Sequence, residues 1–130
     1  MHVRFVSPVI DRDTRVEAGF FRTRQILGTQ NGPEWVQNEL KEQFDWYNDN
    51  LEAPDELGKY FKRRDTIWGI CWFKSEAKEC IQRAHFCAWL LGEAGIPIRM
   101  LKANIRKEII WQDENQILCK PMKELPRAFN

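Results

Sequence analysis

The sequence predicts a single α+β domain in which about three helices cover a mixed β-sheet containing one parallel β-α-β unit and a C-terminal β-hairpin. Three observations carry this expectation. Residues 66–104 read as strand, helix and strand; residues 33–51 carry a helical apolar stripe; and two short apolar runs near the end of the chain flank a polar turn. A chain of 130 residues is one ordinary domain, long enough to bury roughly two-thirds of its unfolded surface around one core.

The first strand is expected over residues 2–7, where Val3 and Phe5 alternate with Arg4 and Val6 before Pro8 interrupts the ladder. Residues 16–27 fit neither the helical nor the strand period cleanly, and a short helix closed by Gly28 is expected there. From Pro33 the pattern sharpens. Proline suits a first helical position, Glu34 suits the positive helix start, and Val36, Leu40, Phe44, Tyr47 and Leu51 form one stripe.

After the Pro54-Asp55 turn and a basic connector, Lys59-Tyr60-Phe61-Lys62-Arg63-Arg64, a strand is expected over 67–73. Both of its alternating faces are apolar, which places it inside the sheet. Ser75 is the expected N-cap of the next helix, whose stripe of Ala77, Cys80, Ile81, Ala84, Cys87, Ala88 and Leu91 ends at Gly92 and Gly95. Phe86, Trp89 and Leu90 fall off that stripe and are expected on a face covered by another element or by a partner. A strand over 96–103 follows; the short loops on either side of the helix imply a parallel, right-handed crossover from 67–73. Residues 108–112 and 116–120, around Asp113-Glu114-Asn115, read as an antiparallel hairpin.

Charge is segregated along the chain. Residues 34–56 hold eight acidic side chains against one lysine, a local charge of −7; with an overall charge of +1, the remainder carries +8. The balance of 30% charged and 43% hydrophobic residues describes a folded globular chain. Arg4 and Pro8 interrupt the apolar stretch at the N-terminus, so no secretory signal is expected and the chain is expected to be cytoplasmic. The apolar runs fall well short of the roughly 20 residues that span a bilayer.

The four cysteines form no C-x-x-C pair. Cys80 and Cys87 would lie roughly 10 Å apart on one helix, beyond disulfide reach. All four are expected to be reduced core residues, and neither a metal nor a cofactor is expected. Asp11 and Asp13, Asp55 and Glu56, and Asp113 and Glu114 are paired acids in turns, where local hydrogen bonding accounts for them; His85 is expected to pack rather than to act as a base. No nucleophile elbow, Walker loop, dinucleotide fingerprint or zinc spacing occurs, and no catalytic residue is assigned.

Two functional expectations follow. The favoured one is a small interaction or regulatory module that binds a protein partner or a second copy of itself, through the acidic helix and Phe86, Trp89 and Leu90. The alternative is a nucleotide- or nucleic-acid-binding protein, extending to a small enzyme on a phosphate-containing substrate. Its ligand would sit beyond the strand ends, at Lys74, Ser75, Lys102, Asn104 and Arg106, with Lys62, Arg63 and Arg64 completing the clamp.

Overall fold

β1 (His2–Ile10) organises the sheet, because its first half is paired on both edges. The computed structural model describes residues 1–12, 14–27, 32–51 and 69–120. After β1 come β2 (Glu17–Gly19), α1 (Phe20–Leu27), α2 (Glu34–Asn50), β3 (Ile70–Lys74), α3 (Lys78–Glu93), β4 (Arg99–Ala103), β5 (Ile109–Gln112) and β6 (Gln116–Cys119). The α+β architecture with three helices is therefore observed among the described residues. The basic connector, Gly28, Ile67, Trp68 and the tail from residue 121 lie outside them.

The expected parallel β-α-β pair does not form. Every ladder among the described residues is antiparallel: β1 with β2, β3 and β4, β3 with β6, and β5 with β6. His2 has Lys74 of β3 as one ladder partner and Ala103 of β4 as the other, so β1 lies between the two strands. Both run opposite to β1 and hence in the same sense as each other. The chain still crosses over through α3, but across an intervening strand. Short loops around α3 fix the crossover without fixing what sits in the middle, and the apolar first strand takes that place.

β1 continues past Pro8. A register irregularity between Val6 and Ile10 falls at the proline, so the missing N–H removes no regular ladder bond. The stretch expected to be wholly helical opens instead as β2. A turn in which Arg15 N–H reaches Asp11 O at 2.7 Å and Asp11 N–H reaches Val16 O at 3.0 Å folds it back onto β1. α1 then begins at Phe20. Its Thr23 hydroxyl donates to Gly19 O at 2.8 Å and shares a buried 2.7 Å hydrogen bond with Ser7.

Pro33 is the N-cap of α2 rather than its first helical residue, and its carbonyl accepts from Val36 at 3.1 Å and Gln37 at 3.2 Å. Val36, Leu40, Phe44 and Tyr47 form the buried stripe, as the pattern predicts. Ser75 does not cap α3. Residues 74–77 make a turn, closed by Ala77 N–H to Lys74 O at 3.0 Å, and the cap position falls on Ala77. At the other end Gly95 adopts φ +88°, with Gly95 N–H on Gly92 O and Ile96 N–H on Leu91 O, both at 2.9 Å. This is the left-handed glycine stop expected for the helix.

The hairpin forms as expected. Asp113 holds its turn, with Oδ1 accepting from Asn115 at 2.8 Å and Gln116 at 2.9 Å. The pleat sends Val3, Phe5 and Phe73 toward the helices and Val6, Ile70 and Trp72 to the opposite side, giving two apolar clusters on the two faces of one sheet. β3, flanked by β1 and β6, is the interior strand its doubly apolar pattern predicts.

Candidate interaction face

α2 and α3 pack antiparallel on the sheet, and their contact changes character along its length. Near the C-terminal end of α2 it is closed and polar. The buried Tyr47 hydroxyl donates to Cys80 O at 2.6 Å, and Arg83 bonds Gln43 at 3.2 Å and Glu79 at 3.0 Å while lying 4.2 Å from the centre of the Trp46 ring. At the opposite end it opens into an aromatic surface. Trp35 of α2 stands 5.8 Å from Trp89 of α3, and Trp89 stacks on Phe86 at 5.9 Å with a 20° interplanar angle. Exposure is 48% for Trp35, 52% for Trp89 and 36% for Phe86.

Helical spacing explains the cluster. Val36, Leu40, Phe44 and Tyr47 aim α2 at the core, which rotates Trp35 outward. Phe86 and Trp89, three residues apart, share the outward side of α3. The same geometry places acids around the rings: Glu34 beside Trp35, Glu39 one turn further along α2, and Glu93 one turn beyond Trp89. Glu42, Asp45 and Asp49 continue the acidic surface of α2, where Lys41 is tied to Asp45 at 3.1 Å.

Leu90 does not join this face. It is 0% exposed and belongs to the helix-side core, between Cys87 and Leu91. The angular width of the buried side of α3 exceeds a single stripe, because the helix rests on both the sheet and α2. Trp35 takes its place on the face. The sequence contained the signal, a tryptophan next to the α2 stripe and flanked by glutamates.

The edge expected to bind an anion disperses. Lys74 pairs with His2, and Lys102 with Val3, so the pleat sends the two lysines to opposite faces of the sheet. Ser75 N–H bonds Met1 O at 3.2 Å. With its amide oxygen turned toward Arg106, Asn104 accepts from that guanidinium at 2.9 and 3.1 Å. His2 Nδ1 accepts from Ile105 N–H at 3.1 Å; burial first, then the amino terminus and Lys74, hold its pKa below the ordinary value. Lys62, Arg63 and Arg64 lie outside the described residues, as do Asp13, Asp55 and Glu56.

No family model matches the chain, and no curated protein or solved structure matches it.

Among the described residues no group of three histidine, cysteine or acidic side chains is placed to hold a metal, and no helix is long and apolar enough to cross a membrane. Asp11 accepts from Arg22 at 3.3 Å. His85 sets its ring edge-on to Phe5 at 4.9 Å. Cys80, Cys87 and Cys119 are buried and Cys71 is half-buried. Burial raises the pKa of each buried thiol, that of Cys87 to about 12. Sequence reasoning also missed Arg4. The strand pattern only sets it with Val6 on the side away from Val3 and Phe5, and it is 9% exposed and lines a cavity between β1, β3, α1 and α2.

Proposed function

We propose that the chain is a protein-interaction module whose binding face is formed by Trp35, Phe86 and Trp89, with a partner segment that is apolar and basic. One observation carries this reading: three neighbouring aromatic rings from two helices stand open to solvent on a surface flanked by glutamates. Contiguous exposed apolar surface edged by charge marks interaction sites, and tryptophan anchors dominate binding energy where they are desolvated.

The acidic surround selects the partner's chemistry. A second copy would bring glutamates against glutamates, which disfavours self-association through this face; lysines or arginines would pair with Glu34, Glu39 and Glu93. Their cations can also lie over the indole rings, as Arg83 does over Trp46 at 4.2 Å. The phosphate-clamp reading has less to stand on, since Lys74 and Lys102 leave opposite faces of the sheet.

Calorimetric titration with a synthetic amphipathic lysine/leucine helix, beside a glutamate/leucine helix of the same pattern, tests the proposal. The basic peptide is expected to bind, more weakly at high salt, and to lose at least about tenfold in affinity against the W35A/W89A double variant. Equal binding of both peptides, or full retention by the double variant, contradicts it. A dimer in sedimentation that W89A dissolves would replace the foreign partner with a second copy.

A further inference from the structure

The sheet divides around Arg4. β1 pairs with β3 through His2 and Val3, and on the same edge with β2 through Val6 and Ile10. Between these ladders the Arg4 side chain spans the division, Nη2 donating to Glu17 O at 2.7 Å and Nη1 to Cys71 O at 3.4 Å. No described carboxylate lies within ion-pair distance of Arg4; the nearby Asp11 is engaged by Arg22 at 3.3 Å. A guanidinium that is nine-tenths buried thus has two backbone carbonyls for partners and three further N–H donors.

Beside it lies a cavity of about 270 Å³, whose walls include Phe5, Phe20, Phe21, Tyr47 and Trp72. The backbone leaves room near the guanidinium: a Cβ on Gly19 would come within 3.9 Å of Nη2. Bridging two strands requires a donor but not a charge, and burying a cation with no carboxylate in ion-pair contact is costly; Asp11 and Glu17 act on Arg4 only from beyond that distance. Aromatic walls around a few charged groups, here Arg4 and the Asp11–Arg22 ion pair at 3.3 Å, are the usual make-up of a small-molecule site, and the volume is close to the lower end of the roughly 300–1,000 Å³ range for such sites.

We infer that this cavity binds a small organic carboxylate with a planar apolar body, the carboxylate meeting Arg4 and the body lying among Phe20, Phe21 and Tyr47. A carboxylate accepts a guanidinium fork in two parallel bonds. The aromatic walls suit a monoanion better than a phosphate ester, because Arg22, the other cation of the lining, is already paired with Asp11. Burial lowers the Arg4 pKa to about 10, so the cation is retained at neutral pH.

The probe is 2-naphthoate, with its neutral amide 2-naphthamide as control, titrated into the full chain by calorimetry. Saturable naphthoate binding at least about tenfold tighter than that of the amide is expected, with protection of the cavity-lining Cys71 thiol from a maleimide. Arg4→Lys keeps the charge but removes the fork, and is expected to weaken naphthoate without affecting the amide. Absence of saturable naphthoate binding, or equal affinity for acid and amide, overturns the inference. Both comparisons use the wild-type chain, so they hold if the Arg4 variant fails to fold. Unchanged naphthoate binding in W35A/W89A separates this site from the interaction face.

Discussion

Trp35 and Trp89 meet across the α2–α3 pair with ring centroids 5.8 Å apart and a 47° angle between their planes, yet each leaves about half of its surface to solvent. A contact of this kind contributes little to folding, because much of the apolar area stays wet in the folded state. Trp35→Ala and Trp89→Ala are therefore expected to change unfolding stability by no more than about 0.5–1 kcal/mol. Leu90→Ala, one residue from Trp89 but fully buried, is expected to cost about 2–5 kcal/mol. Urea unfolding of the three variants measures the contrast, and similar losses in all three would place the tryptophans in the core.

The Tyr47 hydroxyl ties α2 to α3 through Cys80 O. Tyr47→Phe keeps the ring packing with Phe20 and Phe73 and removes one buried donor, so a loss of about 0.5–1.5 kcal/mol is expected. Thermal unfolding reads it.

Alkaline pH should destabilise the fold from about pH 9 upward. Cys87 ionises near 9 when unfolded and near 12 when folded, because burial disfavours the thiolate; burial also raises the pKa of Tyr47. Across that window the folded state keeps protons that the unfolded state releases, and stability falls as pH rises. Arg4 acts in the opposite sense above about pH 10, where the folded state releases its proton before the unfolded state does. The prediction is thus cleanest from pH 9 to 10. Denaturation midpoints are expected to fall there, and Cys87→Ala to flatten the slope whatever its effect on absolute stability.

Thiol labelling separates the cysteines without mutation. In the native chain Cys71, half-buried, is expected to react ahead of Cys80, Cys87 and Cys119, which are buried. Timed maleimide labelling followed by peptide mass analysis checks the order.

Much of this architecture was legible because local periodicity and burial agree. The stripe of α2, the glycine stop of α3, the interior character of β3 and the Asp113 turn each follow from neighbouring residues. What was not legible depends on partners distant in sequence. The parallel pair failed because β1, from the far end of the chain, lies between β3 and β4. β2 was hidden because three residues are too few to establish a period. Two of the three residues of the aromatic face, Phe86 and Trp89, were visible in α3, but Trp35 joins them only when α2 docks. Arg4 drew no attention because alternation alone does not tell whether the second face of a strand is covered, and this sheet buries side chains on both.

The face formed by Trp35, Phe86 and Trp89 is tested most directly by the tryptophan indole N–H signals in a nitrogen-proton correlation spectrum, recorded while the lysine/leucine peptide is added. The chain has six tryptophans, and W35F and W89F assign the two that matter. Their signals are expected to shift in step with binding while that of buried Trp72 stays fixed. Binding that leaves the Trp35 and Trp89 signals in place would contradict the account.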